Sequence, residues 1–242
     1  MRTRPVVLSS LSLLFLLAAC SENHDTPLSP GSVPTAPVPS AEVAPPASSA
    51  QGRSYAAWAA DWWRWALENP ATGNPILDPT GAACAYHQTA RAWFLAGSFG
   101  GDPVVRDCTV PVGRPILVPL INLAYFAFLS DDPATRTESF VRGQVTCIED
   151  AVFPVVEIDG KAVREPGRYL EHSVLFDVHL PTDNLFGATE SDIPALTLSP
   201  SVDAGFYLLL TPLTPGAHTL RWQARSTACG FGQDITYRLA VE

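Results

Sequence analysis

Asp177 and His179 are the first residues in this sequence whose types and spacing could do chemistry. On an extended strand, residues two apart share a face, so a carboxylate and an imidazole placed this way could hold a metal ion or act as a base with its orienting group. The same alternation sets Phe176, Val178 and Leu180 on the opposite face and assigns Asp177 and His179 to solvent. A second cluster lies in Leu180-Pro181-Thr182-Asp183-Asn184-Leu185-Phe186-Gly187. There Asp183 and Asn184 favour a side-chain-capped turn, and Phe186 can pin the loop to a core. Polar loops of this kind at the ends of β sandwiches often contact ligands. His87, His172 and His218 lie in no catalytic or metal-binding motif, and His218, beside Leu220 and Trp222 on one strand face, reads as a hydrogen-bonded structural residue. No serine sits in a Gly-x-Ser-x-Gly elbow, no glycine pattern matches a phosphate loop, and no Asp/Asn ladder suggests a calcium loop. The sequence therefore assigns no catalytic residue, no metal and no cofactor, while a site assembled only in three dimensions leaves no linear trace.

Cys84, Cys108, Cys147 and Cys229 form an even set without Cys-x-x-Cys or His-x-x-x-His spacing, which disfavours zinc and thiol-redox chemistry. Disulfides are the expected use. Three pairings are open, and Cys84 with Cys108 and Cys147 with Cys229 is favoured: the first closes a compact loop, and the second ties a middle helix to the final strand. Each bridge is expected to contribute roughly 2 to 4 kcal/mol.

The fifth cysteine, Cys20, has a different setting. Arg2 and Arg4 precede the apolar run Val6 to Leu17, which has the length of an export signal and is short for a membrane span. The run ends Leu17-Ala18-Ala19-Cys20, which resembles the lipobox of bacterial lipoproteins. The resemblance implies that residues 1–19 are removed and that Cys20, diacylated, becomes the N-terminus. Two acyl chains give stable anchoring where one is marginal. Ser21, in place of a retention aspartate, favours the outer membrane over the inner. The expected location is the bacterial cell envelope, on its periplasmic or surface-facing side.

Net charge narrows the partners. The chain carries a formal charge of −9, and about −11 once Arg2 and Arg4 are lost, with Lys161 its only lysine. Nucleic acid and anionic lipid surfaces both demand clustered cations, so neither is expected as an electrostatic partner. A glycan or a protein of the envelope is the expected partner class, with the membrane reached through the N-terminal lipid. The apolar stretch Ile116 to Leu129 is broken by Pro119 and Asn122 and reads as buried core.

The elements that must position these residues follow from composition and period. Residues 20–53, with seven prolines between Pro27 and Pro46 and no aromatic residue, read as a disordered tether reaching roughly 30 to 100 Å. A single folded domain is expected over 54–242, with a division into subdomains near residue 151 as the alternative. At 47% hydrophobic and 16% charged residues, the chain has material for such a core. Ser54 is a candidate N-cap for a helix over Tyr55 to Glu68, ended by Asn69-Pro70. Tyr55, Trp58, Trp62 and Trp65 recur at helical spacing and are expected to pack on a sheet, with sugar stacking or a lipid interface as alternatives. Strands are expected at Ala92 to Ser98, Thr109 to Val112 and Pro115 to Ile121, and a second helix near 133–150, where Gly143 is unfavourable. Beyond Phe153 the pattern has period two, with a hairpin turn at Asp159-Gly160 and a last strand through Ile235, Tyr237, Leu239 and Val241. The expected fold is mainly β: an antiparallel sandwich or jelly-roll-like domain with an N-terminal aromatic helix and one further helix.

Several segments together carry a wider likeness: Trp58 to Trp65, Asn74-Pro75, Asp78 to Gly81, Trp93 to Gly97, Arg106 with Cys108 to Pro111, Pro119 to Asn122, Leu180 to Gly187, Pro212 to Leu220 and Asp234 to Tyr237. In this order they resemble a family of exported bacterial proteins of unknown function. The resemblance implies an extracytoplasmic domain and no particular reaction. The leading expectation is a non-catalytic binding or structural module; the alternative is a carbohydrate-active or other hydrolytic enzyme using Asp177, His179 or the Asp183-Asn184 loop.

Overall fold

Two long apolar strands explain the architecture. In the computed structural model, which describes residues 42–46, 48–100 and 102–242, the chain runs through β1 (Ser49–Ala50), β2 (Arg53–Ser54), α1 (Tyr55–Glu68), β3 (Trp93–Phe94), β4 (Val104–Val110) and β5 (Ile116–Phe128). It continues through α2 (Glu138–Gly143), β6 (Val152–Ile158), β7 (Lys161–Ala162), β8 (Leu170–His172), β9 (Phe176–His179), β10 (Thr197–Leu210), β11 (Gly216–Ser226) and β12 (Phe231–Val241). β5 and β10 pair antiparallel along their length and form the middle of a first sheet. Both are nearly continuous apolar runs because both faces of this sheet are covered. On β10, Phe206, Leu208 and Leu210 face a second sheet, while Tyr207 and Leu209 face α1. The second sheet has the order β4-β12-β11-β6-β7 and contributes Leu220, Trp222, Ile235, Tyr237 and Leu239 to the inter-sheet core.

The domain is thus a β sandwich with α1 laid on the outside of the first sheet. Two pairings, β3 with β5 and β12 with β4, are parallel, within a sandwich whose other strand pairs are antiparallel as expected. Because β4 pairs with β12 and β5 with β10, strands from before and after residue 151 are interleaved in both sheets, and no subdomain boundary falls there.

Where the tether was expected to end at 53, residues 42–46 and 48–53 already belong to the domain. The outer edge of β10 is filled piecewise: β9 pairs at Thr197–Ser201, β8 at Ala204–Phe206, and the segment around Val43 at Leu210. Ala44 N donates to Leu209 O (2.8 Å), and Tyr55 Oη donates to Ala44 O (2.7 Å) while accepting from Leu209 N (3.1 Å). Composition misleads here because proline is compatible with an edge position, and the unpaired backbone groups of a central strand need partners whatever the composition of the segment that supplies them. The leader, Cys20 and residues 21–41 lie outside the described residues.

Ser54 caps α1 by accepting from Ala57 N (3.3 Å). The expected second helix breaks into three short pieces, a 3₁₀ turn at Pro133–Arg136, α2 and a second 3₁₀ turn at Thr146–Asp150, with the poor helix former Gly143 ending α2. The Asp159-Gly160 hairpin turn between β6 and β7 forms with both residues at positive φ, as a type I′ turn requires. Disulfides join Cys84 to Cys108 and Cys147 to Cys229. The first ties the loop after α1 to β4; the second ties the 3₁₀ turn before β6 to the loop between β11 and β12. Among the described residues no helix is long and apolar enough to cross a membrane.

Candidate functional site: an apolar cavity beneath helix α1

Helix α1 buries its tryptophans and gives each indole N–H an acceptor. Trp58 donates to Ala50 O (3.2 Å), Trp62 to Leu95 O (2.8 Å), Trp63 to the Asp203 carboxylate (2.6 Å) and Trp65 to Tyr86 O (3.3 Å). All four are at most 9% exposed, so α1 offers no aromatic platform on which a sugar ring could stack.

Near Trp62 and Trp63 the packing is incomplete. These two rings meet edge to face (5.1 Å), and Trp63 meets Phe126 of β5 in the same way (5.5 Å). Around them opens a cavity of about 300 Å³ bounded by α1, by Asn122 to Phe126 of β5, by Gly97 to Phe99, by Leu185 and Phe186, and by Phe231 and Gln233 at the start of β12. Phe99 (66% exposed) and Phe186 (51%) stand at its border. Among the described residues none of the lining side chains titrates, and the polar ones are Ser98, Asn122 and Gln233. Such a lining can enclose an apolar body but supplies no acid, base or activated nucleophile. Ser98 has no base: its hydroxyl donates to Gly100 O (2.9 Å).

The walls are held from behind. Gln233 accepts from Ser98 N (3.0 Å) and donates to Ser98 O (3.1 Å), fixing the 97–99 turn. Arg106, buried in β4, donates to the carbonyls of Asp78, Ala96 and Gly97 and to the Tyr237 hydroxyl (2.7 to 3.0 Å). Asn184 uses its whole carboxamide on its own loop, donating to Pro181 O and Ala188 O and accepting from Phe186 N and Ala188 N. It therefore positions Phe186 at the border of the cavity. Asp183, its neighbour, is held below the usual carboxylate range by hydrogen bonds from the Thr72 side chain and backbone, and ties this loop to the one after α1.

Beneath Trp63 lies a polar network that no linear motif announced. Asp203 is fully buried on β10; its Oδ1 accepts from Trp63 Nε1 and from Tyr207 Oη (3.0 Å), and Oδ2 has no partner among the described residues. Desolvation pushes its pKa up to about 8, against the two hydrogen bonds that lower it. Tyr207, also raised by burial, accepts from Asn122 Nδ2 (2.8 Å). The sequence signal was there in one form: Asn122 and Asp203 are polar residues on strands otherwise filled with apolar ones.

Asp177 and His179 take the exposed face of β9 and do not line the cavity. His179 Nδ1 is 3.2 Å from Thr197 Oγ1, its backbone N–H donates to Glu68, and the Asp177 carbonyl accepts from Arg64. Both ring nitrogens of His218 are engaged within the fold, one with the Asp159 carboxylate and the other with Thr214 O (2.8 Å each). Among the described residues, no three His, Cys, Asp or Glu side chains gather as a metal site would require.

No protein-family model matches the chain, and no curated protein does. Among solved structures, the solution structure of Amebosin aligns with 57% of this chain and 89% of its own at 12% identity, with a TM-score of 0.20, a likeness too slight to bear on fold or function.

Proposed function

We propose that this chain is a lipid-anchored protein of the bacterial cell envelope whose domain is a non-catalytic binding module, and that its site is the cavity beneath α1, which takes a small apolar molecule. The observation that carries the reading is the cavity's chemistry: about 300 Å³ walled by Trp62, Trp63, Phe126 and Phe231 and bordered by two exposed phenylalanines, with no titratable side chain among its lining. That volume is at the lower end of small-molecule sites. Two disulfides support an oxidising compartment, consistent with export and with Cys20 as the lipid attachment point. The hydrolase alternative has no comparable support, because its candidate residues lie on the exposed face of β9 or serve the 180–188 loop.

The test uses the full chain carrying Cys20→Ser, titrated with 1-bromoheptane, whose bromine quenches a neighbouring indole. Saturable quenching in the parent, lost in Ala124→Phe, which fills the cavity from β5, is the expected result. Unsaturable quenching, or the same quenching in a folded Ala124→Phe variant, would overturn the reading.

A further inference from the structure

The hydrogen-bond directions in the buried network fix which end of Asn122 faces the cavity. Trp63 Nε1 can only donate, and it donates to Asp203 Oδ1. Tyr207 donates its single hydroxyl hydrogen to the same oxygen, and with Oδ1 accepting both bonds the hydrogen of the protonated carboxyl lies on Oδ2. Tyr207 Oη is then left with lone pairs alone, so its partner 2.8 Å away must be the Asn122 amino group. Asn122 Oδ1 is thereby turned from the network; it has no hydrogen-bond partner among the described residues and is not sealed from solvent. The root of the side chain packs closely as well, since a Cβ on the facing Gly205 would collide with Asn122 Cβ.

Of the other two polar residues of the wall, Ser98 gives its one hydroxyl hydrogen to Gly100 O, and the Gln233 amide gives one of its two to Ser98 O. The cavity therefore presents an open carbonyl acceptor, no opposing charge, and room for roughly ten non-hydrogen atoms at about 30 Å³ for each water-sized unit. A carboxylate ligand would meet an acceptor and no cation; an ammonium would be desolvated without a counter-charge.

Resting on the binding reading above, we infer that the cavity selects an uncharged molecule with an apolar body and one hydroxyl or amide N–H, which donates to Asn122 Oδ1; Asn122 is the specificity-determining residue. The test compares 1-octanol, 1-methoxyheptane and octanoate at pH 8 on the full Cys20→Ser chain by calorimetry. Alcohol and ether have the same non-hydrogen atoms and differ in the donor. Octanol should bind about two- to tenfold more tightly than the ether, the worth of one neutral hydrogen bond, with octanoate weakest. In Asn122→Leu the alcohol and the ether should become equal while both still bind. Equal affinities in the parent protein, or octanoate as the tightest ligand, would overturn the inference and leave the cavity reading standing. Binding by none of the three would overturn both. The parent comparison decides even if Asn122→Leu does not fold.

Discussion

Replacing Asp203 by Asn probes the centre of the buried network with a sign that depends on pH. The Asp203 carboxyl, ordinarily at 3.8, is pushed up to about 8 by burial. Between these values the folded state holds a proton that the unfolded state has released. Stability therefore falls as pH rises, by about 1.4 kcal/mol per pH unit, and the contribution present at low pH is lost through the folded-state value. By pH 7 this amounts to about 4 kcal/mol. Asn keeps an acceptor for Trp63 and Tyr207 and does not ionise, but it buries an NH₂ where Oδ2 already lacks a partner, at about 1 to 3 kcal/mol.

Asp203→Asn should therefore be the less stable protein near pH 4.5 and the more stable one near pH 7.5, with the two curves crossing between. The assay is urea denaturation of the Cys20→Ser chain with disulfides intact, followed by tryptophan fluorescence at several pH values. Asp78, Asp150, Asp183 and Asp192 have lowered values and destabilise at acid pH, but they do so in both proteins and cancel in the difference. A difference that stays flat from pH 4.5 to 7.5 would refute the assignment of a protonated Asp203.

Four further outcomes follow from other parts of the molecule. Arg106→Lys removes the fork that binds four acceptors at once and should cost about 2 to 4 kcal/mol in denaturation, loosening the 96–99 wall. Replacing Cys147 and Cys229 by Ser should cost more than replacing Cys84 and Cys108, about 4 to 5 against about 3 to 4 kcal/mol, because the sequence separations are 82 and 24; denaturation midpoints that rank the other way contradict the chain-entropy account. Gly205→Ala should destabilise by about 1 to 3 kcal/mol and weaken octanol binding, since its Cβ collides with Asn122. Cys20→Ser should move the protein from the membrane to the soluble fraction on cell fractionation; retention of the variant on membranes refutes the lipid anchor.

Much of the architecture was legible because it depends on local pattern. The cap at Ser54 and the spacing of Trp58, Trp62 and Trp65 fix α1. Alternation fixes β12, where Ile235, Tyr237, Leu239 and Val241 all turn inward. Other elements depended on partners far away in the chain. Residues 42–46 are composed like a tether and become ordered because β10 has an unfilled edge at 209–211, which only tertiary structure reveals. The strand expected from Phe206 to Leu210 begins at Thr197, since backbone pairing with β5 carries it through polar positions that periodicity reads as loop.

The site was the least legible part, for a reason its own geometry supplies. Asp177 and His179 drew notice because they are close in sequence, yet closeness on a strand with one buried face left them in solvent. Trp63, Asn122, Asp203 and Tyr207 were inconspicuous because Trp63 lies 140 residues from Asp203 and Asn122 lies 85 from Tyr207. Each alone reads as core: a helix tryptophan, a strand tyrosine, and two polar interruptions in apolar strands. They become a site only when the sheet places a donor-only indole and a hydroxyl on one carboxyl oxygen. From there direction propagates through the bonds, since a hydrogen already given cannot be given again, and the last member, Asn122, has its carbonyl turned to the cavity. On the proposed binding reading, a buried aspartic acid that lines no part of the cavity sets what a ligand must offer.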